Sequence, residues 1–222
     1  GGFLRVATPD VPSELQRRAL DEASALLDPS APPHPPPSSS SSSSSVEVLT
    51  HPTDPKRYAM LSRRDARDVS SSSFPALAEY FDAMERAKVS ILRCIAVGLG
   101  MANPSALSDL HSERNSSLRL LRYPAAANDD ECDRTGNRCK EHSDYGSVTL
   151  LLTDGVSGLE AYRDGVGWRP VPHSSGSIIV NAGSLLEMWT GGEIPATLHR
   201  VAGPASAGSR TDPEELRRAA MR

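Results

Sequence analysis

No stretch of this chain is apolar over the roughly 18 residues that a membrane-spanning helix needs, so a bilayer span is not expected. Basic residues are not in excess either. The 24 Lys and Arg stand against 28 Asp and Glu, a formal charge of −4, and nucleic acid, which selects basic surfaces, is not an expected partner. Cysteine is scarce: Cys94, Cys132 and Cys139 are an odd count in 222 residues. They argue against a disulfide framework and for a reducing, cytoplasmic setting. An initiator methionine is missing as well. The chain opens Gly1-Gly2-Phe3-Leu4 with no charged segment ahead of it, so it is expected to begin inside a longer protein, with any targeting segment out of view.

What is present is enough for one packed domain with a helical appendage: 38% of residues are hydrophobic and 23% charged. Phe3 to Thr8 reads as a short strand. From Pro12 onward Leu15, Ala19, Ala23 and Leu26/Leu27 recur at helical spacing until Pro29. Residues 30–45 read SAPPHPPPSSSSSSSS; with no apolar side chain to bury, this insertion is expected to be disordered. Phe74 to Gly100 is the clearest helix, with Leu77, Tyr80/Phe81, Met84, Ala87/Lys88, Ile91 and Ile95 on its apolar stripe.

After Ser116 the period shortens. Segments 118–123, 147–153, 158–162, 168–171, 177–181 and 197–201 are short, rich in β-branched or aliphatic residues, and separated by Gly, Pro, Asp or Asn. No helix is expected between them. The fold class is therefore α+β, with N-terminal helices (residues 1–115) packed on a jelly-roll, or double-stranded β-helix, core over 116–212 and a tail at 213–222.

His142-Ser143-Asp144 precedes one of these strands and His199 lies on another. In extended chain, residues two apart face the same way, so His142 and Asp144 can present an imidazole and a carboxylate together. A second imidazole from His199 would complete two histidines and one carboxylate on one face of a metal ion, leaving the opposite face open. That is the donor set of non-haem Fe(II) oxygenases. The tripeptide alone is common and is more often a polar strand end. His34, His51, His111 and His173 read as surface histidines.

The order LRLLRYP, EHSDYGSVTLLL, GLEAY, WRPVP and SIIVNAGSLLEMWTGGEIPATLHRV resembles the barrel of the isopenicillin N synthase-like iron(II)/2-oxoglutarate-dependent dioxygenases. The opening GGFLRVATPDVPSELQRRALDEASALLD is similar to that family's start, though less specifically. The resemblance implies iron(II) held by His142, Asp144 and His199, with 2-oxoglutarate as co-substrate and O₂. It implies oxidative decarboxylation of 2-oxoglutarate coupled to hydroxylation or desaturation of a small organic substrate. It also places Tyr123 and Arg210 where the family binds 2-oxoglutarate. A guanidinium suits the far carboxylate because it offers a planar, two-donor fork.

Three departures from the family pattern stand out. Asp212 occupies the position of a serine, Leu121 replaces a polar residue, and the chain stops at Arg222, where relatives continue. Two other readings stay open on these residues: an oxygenase of the same fold that does not use 2-oxoglutarate, and a non-catalytic or inactive jelly-roll fragment. Cys132 and Cys139, spaced too widely for an ordinary zinc pair, read as thiols of a variable loop. Met188 and Trp189 read as core packing or as the rim of a substrate mouth.

Overall fold

The computed structural model describes residues 2–30, 46–52, 54, 56–62, 74–111, 115–123 and 136–203. The Pro/Ser run beyond Ser30, Cys132 and Arg210 lie outside the described residues. The chain divides into two compact units, one of residues 8–49 and 57–122 and the other of residues 1–7, 50–56 and 123–222.

The first unit contains the two long helices. Helix α1 (Ser13–Leu26) buries Leu15, Ala19 and Leu26, the stripe that the sequence spacing predicts. Helix α2 (Pro75–Gly98) starts with proline at its first position, where the missing N–H costs nothing, and buries Leu77, Tyr80, Phe81, Ala87 and Leu92. Its first amides are capped from α1: the Glu22 carboxylate accepts bonds from the N–H groups of Ala76 (3.0 Å) and Leu77 (2.8 Å). That places negative charge where the unsatisfied amides and the helix dipole favour it. A short helix, α3 (Ala106–Asp109), follows.

Three strands accompany the helices. Strand β3 (Arg57–Ser62) pairs antiparallel with β4 (Ser117–Arg122), in a sheet completed by β2 (Val48–Thr50). β4 is the expected first strand of the core, and it pairs instead with a strand that the sequence reading leaves out.

The second unit holds two antiparallel sheets. One has the order β1 (Phe3–Val6), β9 (Ile178–Ala182), β6 (Val148–Leu151); the other runs β5 (Asn137–His142), β10 (His199–Ala202), β7 (Leu159–Arg163), β8 (Gly167–Pro170). From β5 onward the chain passes to the other sheet at β6, back at β7, across again at β9 and back at β10. This alternation between two sheets is the winding of a jelly roll. Every residue of β9 is buried, as a central strand covered on both faces requires, whereas Pro170 sits on the edge strand β8, where a ladder donor is dispensable.

The structure corrects four expectations. A helix, α4 (Ser184–Trp189), interrupts the β-rich half between β9 and β10. Cys139 lies buried within strand β5, not in a loop. Met188 is 67% exposed, so it is not core packing. Of the four histidines read as surface residues, His173 is exposed, but His51 and His111 are half-buried, and His34 lies outside the described residues.

Candidate metal centre

The two histidines are brought together by strand register. His142 and His199 are direct partners across the β5–β10 pair, and their ring centroids are 4.3 Å apart. Residues directly opposite on antiparallel strands carry their side chains on the same face. Sequence separation is therefore no obstacle to contact. Phe3, on β1 of the other sheet, meets the His199 ring edge-on at 5.5 Å. Nothing in the chain's pattern singles out this support.

Asp144 lies two residues past the end of β5, in the connection that carries the chain to β6. That connection is tied to the start of α4: the Ser184 amide donates to the Asp144 carbonyl (2.8 Å), Leu185 to that of Gly146 (3.2 Å), and Gly183 to that of Ser147 (2.9 Å). Gly183 has no side chain because none fits. A Cβ there would collide with the Gly146 carbonyl oxygen and stand 2.9 Å from that of Asp144.

The atoms facing one another are the ones left over after the protein's own bonds are made. Asp144 Oδ2 accepts from Thr149 Oγ1 (2.5 Å) and Asn181 Nδ2 (2.7 Å). Its other oxygen, Oδ1, lies 3.8 Å from His142 Nε2 and 3.8 Å from His199 Nε2. His142 Nδ1 sits 2.9 Å from the Lys140 carbonyl oxygen, and His199 Nδ1 3.0 Å from that of Thr197. A carbonyl can only accept, so in the neutral ring each Nδ1 carries the hydrogen and each Nε2 keeps its lone pair. One ligand atom from each of the three residues lies within 4.8 Å of the others.

Charge follows the same plan. Burial alone would raise the Asp144 carboxyl, but the bonds from Thr149 and Asn181 and the two imidazoles hold it below its ordinary value. Burial and the neighbouring His142 push His199 down, against the Thr197 carbonyl and Asp144, so it is neutral and able to donate its lone pair. Burial would lower His142 too, but Cys139, the Lys140 carbonyl and Asp144 outweigh it and hold that ring above its usual value. Exposure is graded, with the His199 side chain 10% exposed, Asp144 23% and His142 41%. The site is therefore closed on the His199 side and open towards His142. Two imidazole nitrogens and one carboxylate oxygen on one face fit a divalent transition metal that keeps its remaining positions for other ligands.

Residues 114–216 match the profile of the 2OG-Fe(II) oxygenase superfamily. Over those residues the chain is similar to that superfamily. Similar to the chain are the 2-oxoglutarate-dependent dioxygenase traH of Penicillium crustosum, 35% identical over 125 residues, and the 2-oxoglutarate-dependent dioxygenase caaD of Aspergillus niger, 36% identical over 131 residues. These alignments take in 55% and 58% of this chain but only 37% and 39% of those proteins. The chain thus spans about two fifths of the length of the curated relatives it matches. Among solved structures, a full-length Neurospora crassa protein in complex with alpha-KG and 5-formyluracil shares the fold. It has a TM-score of 0.71 at 22% identity, over 95% of this chain and 70% of that one. Of the two residues that the oxygenase resemblance assigns to 2-oxoglutarate, Tyr123 is half-buried just past the end of β4.

Proposed function

We propose that this chain is the core of an Fe(II)- and 2-oxoglutarate-dependent dioxygenase acting on a small organic substrate, with the oxygenase machinery in residues 116–212. His142, Asp144 and His199 hold the iron; Tyr123 and Arg210 bind 2-oxoglutarate. The observation that carries the reading is the convergence of two imidazole nitrogens and Asp144 Oδ1, with the second polar atom of each side chain already bonded within the protein. Once bound, iron with 2-oxoglutarate and O₂ supplies the oxidising chemistry, and the protein supplies binding and orientation. Asp144 remains an anion, His199 remains neutral, and the buried side of the site keeps water away from the ligand bonds.

The test is a titration of 2-oxoglutarate into the anaerobic Fe(II) protein, followed by the absorption of the chelate, and then succinate formation on admitting O₂. His199→Ala should abolish metal binding and turnover together. Arg210→Ala should keep the metal and lose affinity for 2-oxoglutarate. A charge-assisted hydrogen bond is worth about 1.5–3 kcal/mol, which at roughly 1.4 kcal/mol per factor of ten is a loss of about one to two orders of magnitude. An iron protein that neither binds 2-oxoglutarate nor releases succinate would sink the co-substrate assignment and leave an oxygenase of another kind.

A further inference from the structure

Beside the strand that ends in His142, a second polar cluster is buried and supplies none of the candidate metal ligands. Lys56 Nζ lies 2.7 Å from Asp54 Oδ2 and 3.3 Å from Cys139 Sγ. The thiol is in turn 3.7 Å from Asp54 Oδ2. The Lys56 and Asp54 side chains are 5% and 3% exposed, and Cys139 is 5% exposed. An ion pair explains Asp54 and Lys56. It does not explain a thiol held at contact distance from an amine in a site almost free of water. The other thiol among the described residues, Cys94, is exposed on α2.

We propose that Lys56 and Cys139 form a modification site, where hydrogen peroxide converts the neighbouring amine and thiol into a covalent N–S (sulfenamide) cross-link that thiols reverse. The chemistry balances in two steps. Peroxide oxidises the sulfur by two electrons: the Cys139 S–H becomes S–OH, the O–O bond breaks, and one water leaves. The Lys56 ammonium passes one proton to the Asp54 carboxylate beside it, which frees the nitrogen lone pair. Nζ then attacks Sγ; the N–S bond forms, the S–O bond breaks, and hydroxide leaves as a second water by taking the remaining proton that the nitrogen sheds. Asp54 returns its proton to solvent. Net, one thiol, one amine and one peroxide give one cross-link and two waters.

Sulfenic acids condense in this way with a nearby nitrogen or thiol, so the position of Lys56 decides the product. Peroxide is uncharged and scarcely larger than water. The thiol is itself 5% exposed, and the neighbouring His142 ring is 41% exposed. The link ties residues 50–56 to β5 and removes the thiol from beside His142, without needing iron.

The experiment treats the metal-free full chain with limiting hydrogen peroxide, blocks remaining thiols, digests, and reads the peptides by mass spectrometry. The expected product is the Lys56 peptide joined to the Cys139 peptide, lighter than their sum by two hydrogens and lost on reduction with dithiothreitol. Lys56→Arg keeps a cation for Asp54 but offers no amine, so Cys139 should then go on to sulfinic acid. The decisive reading is on the wild-type chain, so it does not depend on the variant folding. Recovery of Cys139 as sulfinic acid or as a disulfide with Cys132 in the wild type overturns the proposal. So does an equal yield of the linked peptide from chain unfolded in urea, since proximity in the fold would then play no part.

Discussion

Asp144 Oδ2 accepts bonds from Thr149 and Asn181, so a metal at the site has only Oδ1 to take from this carboxylate. A free carboxylate can swing to offer both oxygens and fill a coordination position that a co-substrate needs; one whose second oxygen holds two donors cannot do so without breaking them. Asn181 is 2% exposed on the buried strand β9, so its amide is held by packing as well as by this bond. Asn181→Ala should weaken Fe(II) or Co(II) binding by about 10–100-fold, the usual cost of removing a partner that orients a ligand. Unchanged affinity in an anaerobic metal titration would show that Asp144 is oriented by its backbone alone. A different residue contributes to the acid limb of stability. Burial alone would raise the Asp54 carboxyl, but Lys56, His51 and Lys140 hold it below its ordinary value. A depressed folded-state value means the pair's contribution is complete above the unfolded carboxylate value, about 4, and is lost as pH falls through the lower folded one. Wild type should therefore shed stability faster than Asp54→Asn below about pH 4, as read by urea midpoints across the acid range. Parallel curves would remove Asp54 from the account.

At the scale of elements, the candidate metal site depends on the β5–β10 register, and one buried side chain spans the four strands that fix it. Arg200, on the opposite face of β10 from His199, is 2% exposed. It bonds Glu160 on β7 (2.8 Å), reaches Glu141 on β5 (3.5 Å), and lies over the Trp168 ring on β8 at 4.3 Å. Arg200→Ala leaves two carboxylates with little access to water and should cost about 3–5 kcal/mol in denaturant unfolding. The triple change Arg200→Met, Glu141→Leu, Glu160→Leu should recover most of that loss, because desolvating the ions offsets much of their attraction. A loss under about 1 kcal/mol for Arg200→Ala would mean the carboxylates rehydrate freely, as at exposed ion pairs.

Legibility divides along the same line between patterned and unpatterned elements. Both long helices show in the sequence, because each carries an apolar stripe at the period of the helix. Strand β5, NRCKEH, does not: only Cys139 is apolar, and the inward Asn137 is polar and donates to Glu141 (3.1 Å). A strand that buries polar groups in bonds instead of apolar area gives no alternation to read. The partnership of β3 with β4 and the short helix α4 were invisible for the related reason that tertiary pairing, not local pattern, defines them. The histidine–carboxylate pair was legible from its spacing and His199 from its place on a later strand, and the resemblance added weight to all three. The orienting residues Thr149, Asn181 and Phe3 carry no local mark at all.

At the scale of the molecule, the three candidate ligands bring together two paired strands and the passage that leaves one of them. His142 and His199 belong to the sheet β5-β10-β7-β8. Asp144 lies on the passage to the other sheet and is bonded there by Thr149 on β6 and Asn181 on β9. A metal ion bound by all three therefore cross-links both sheets and the passage between them, and it binds the folded chain far better than the unfolded one, in which the donors are scattered. Mass action then sets the gain. At a free metal concentration of about 100 times the dissociation constant, the folded state should gain about 2.7 kcal/mol, rising to about 4.1 kcal/mol at 1,000 times. Co(II) or Ni(II), which do not turn over with O₂, allow this to be read as a rise in the thermal midpoint with metal concentration. The concentration dependence separates binding at one site from a general salt effect, which the same concentrations of Mg(II) control for. In His199→Ala the midpoint should no longer respond. Loss of the buried ring also moves the starting value, so the comparison is the slope against metal. If the wild-type midpoint stays level while metal rises through a thousandfold range, the three donors do not act as one site, and the assignment of iron to His142, Asp144 and His199 fails with it.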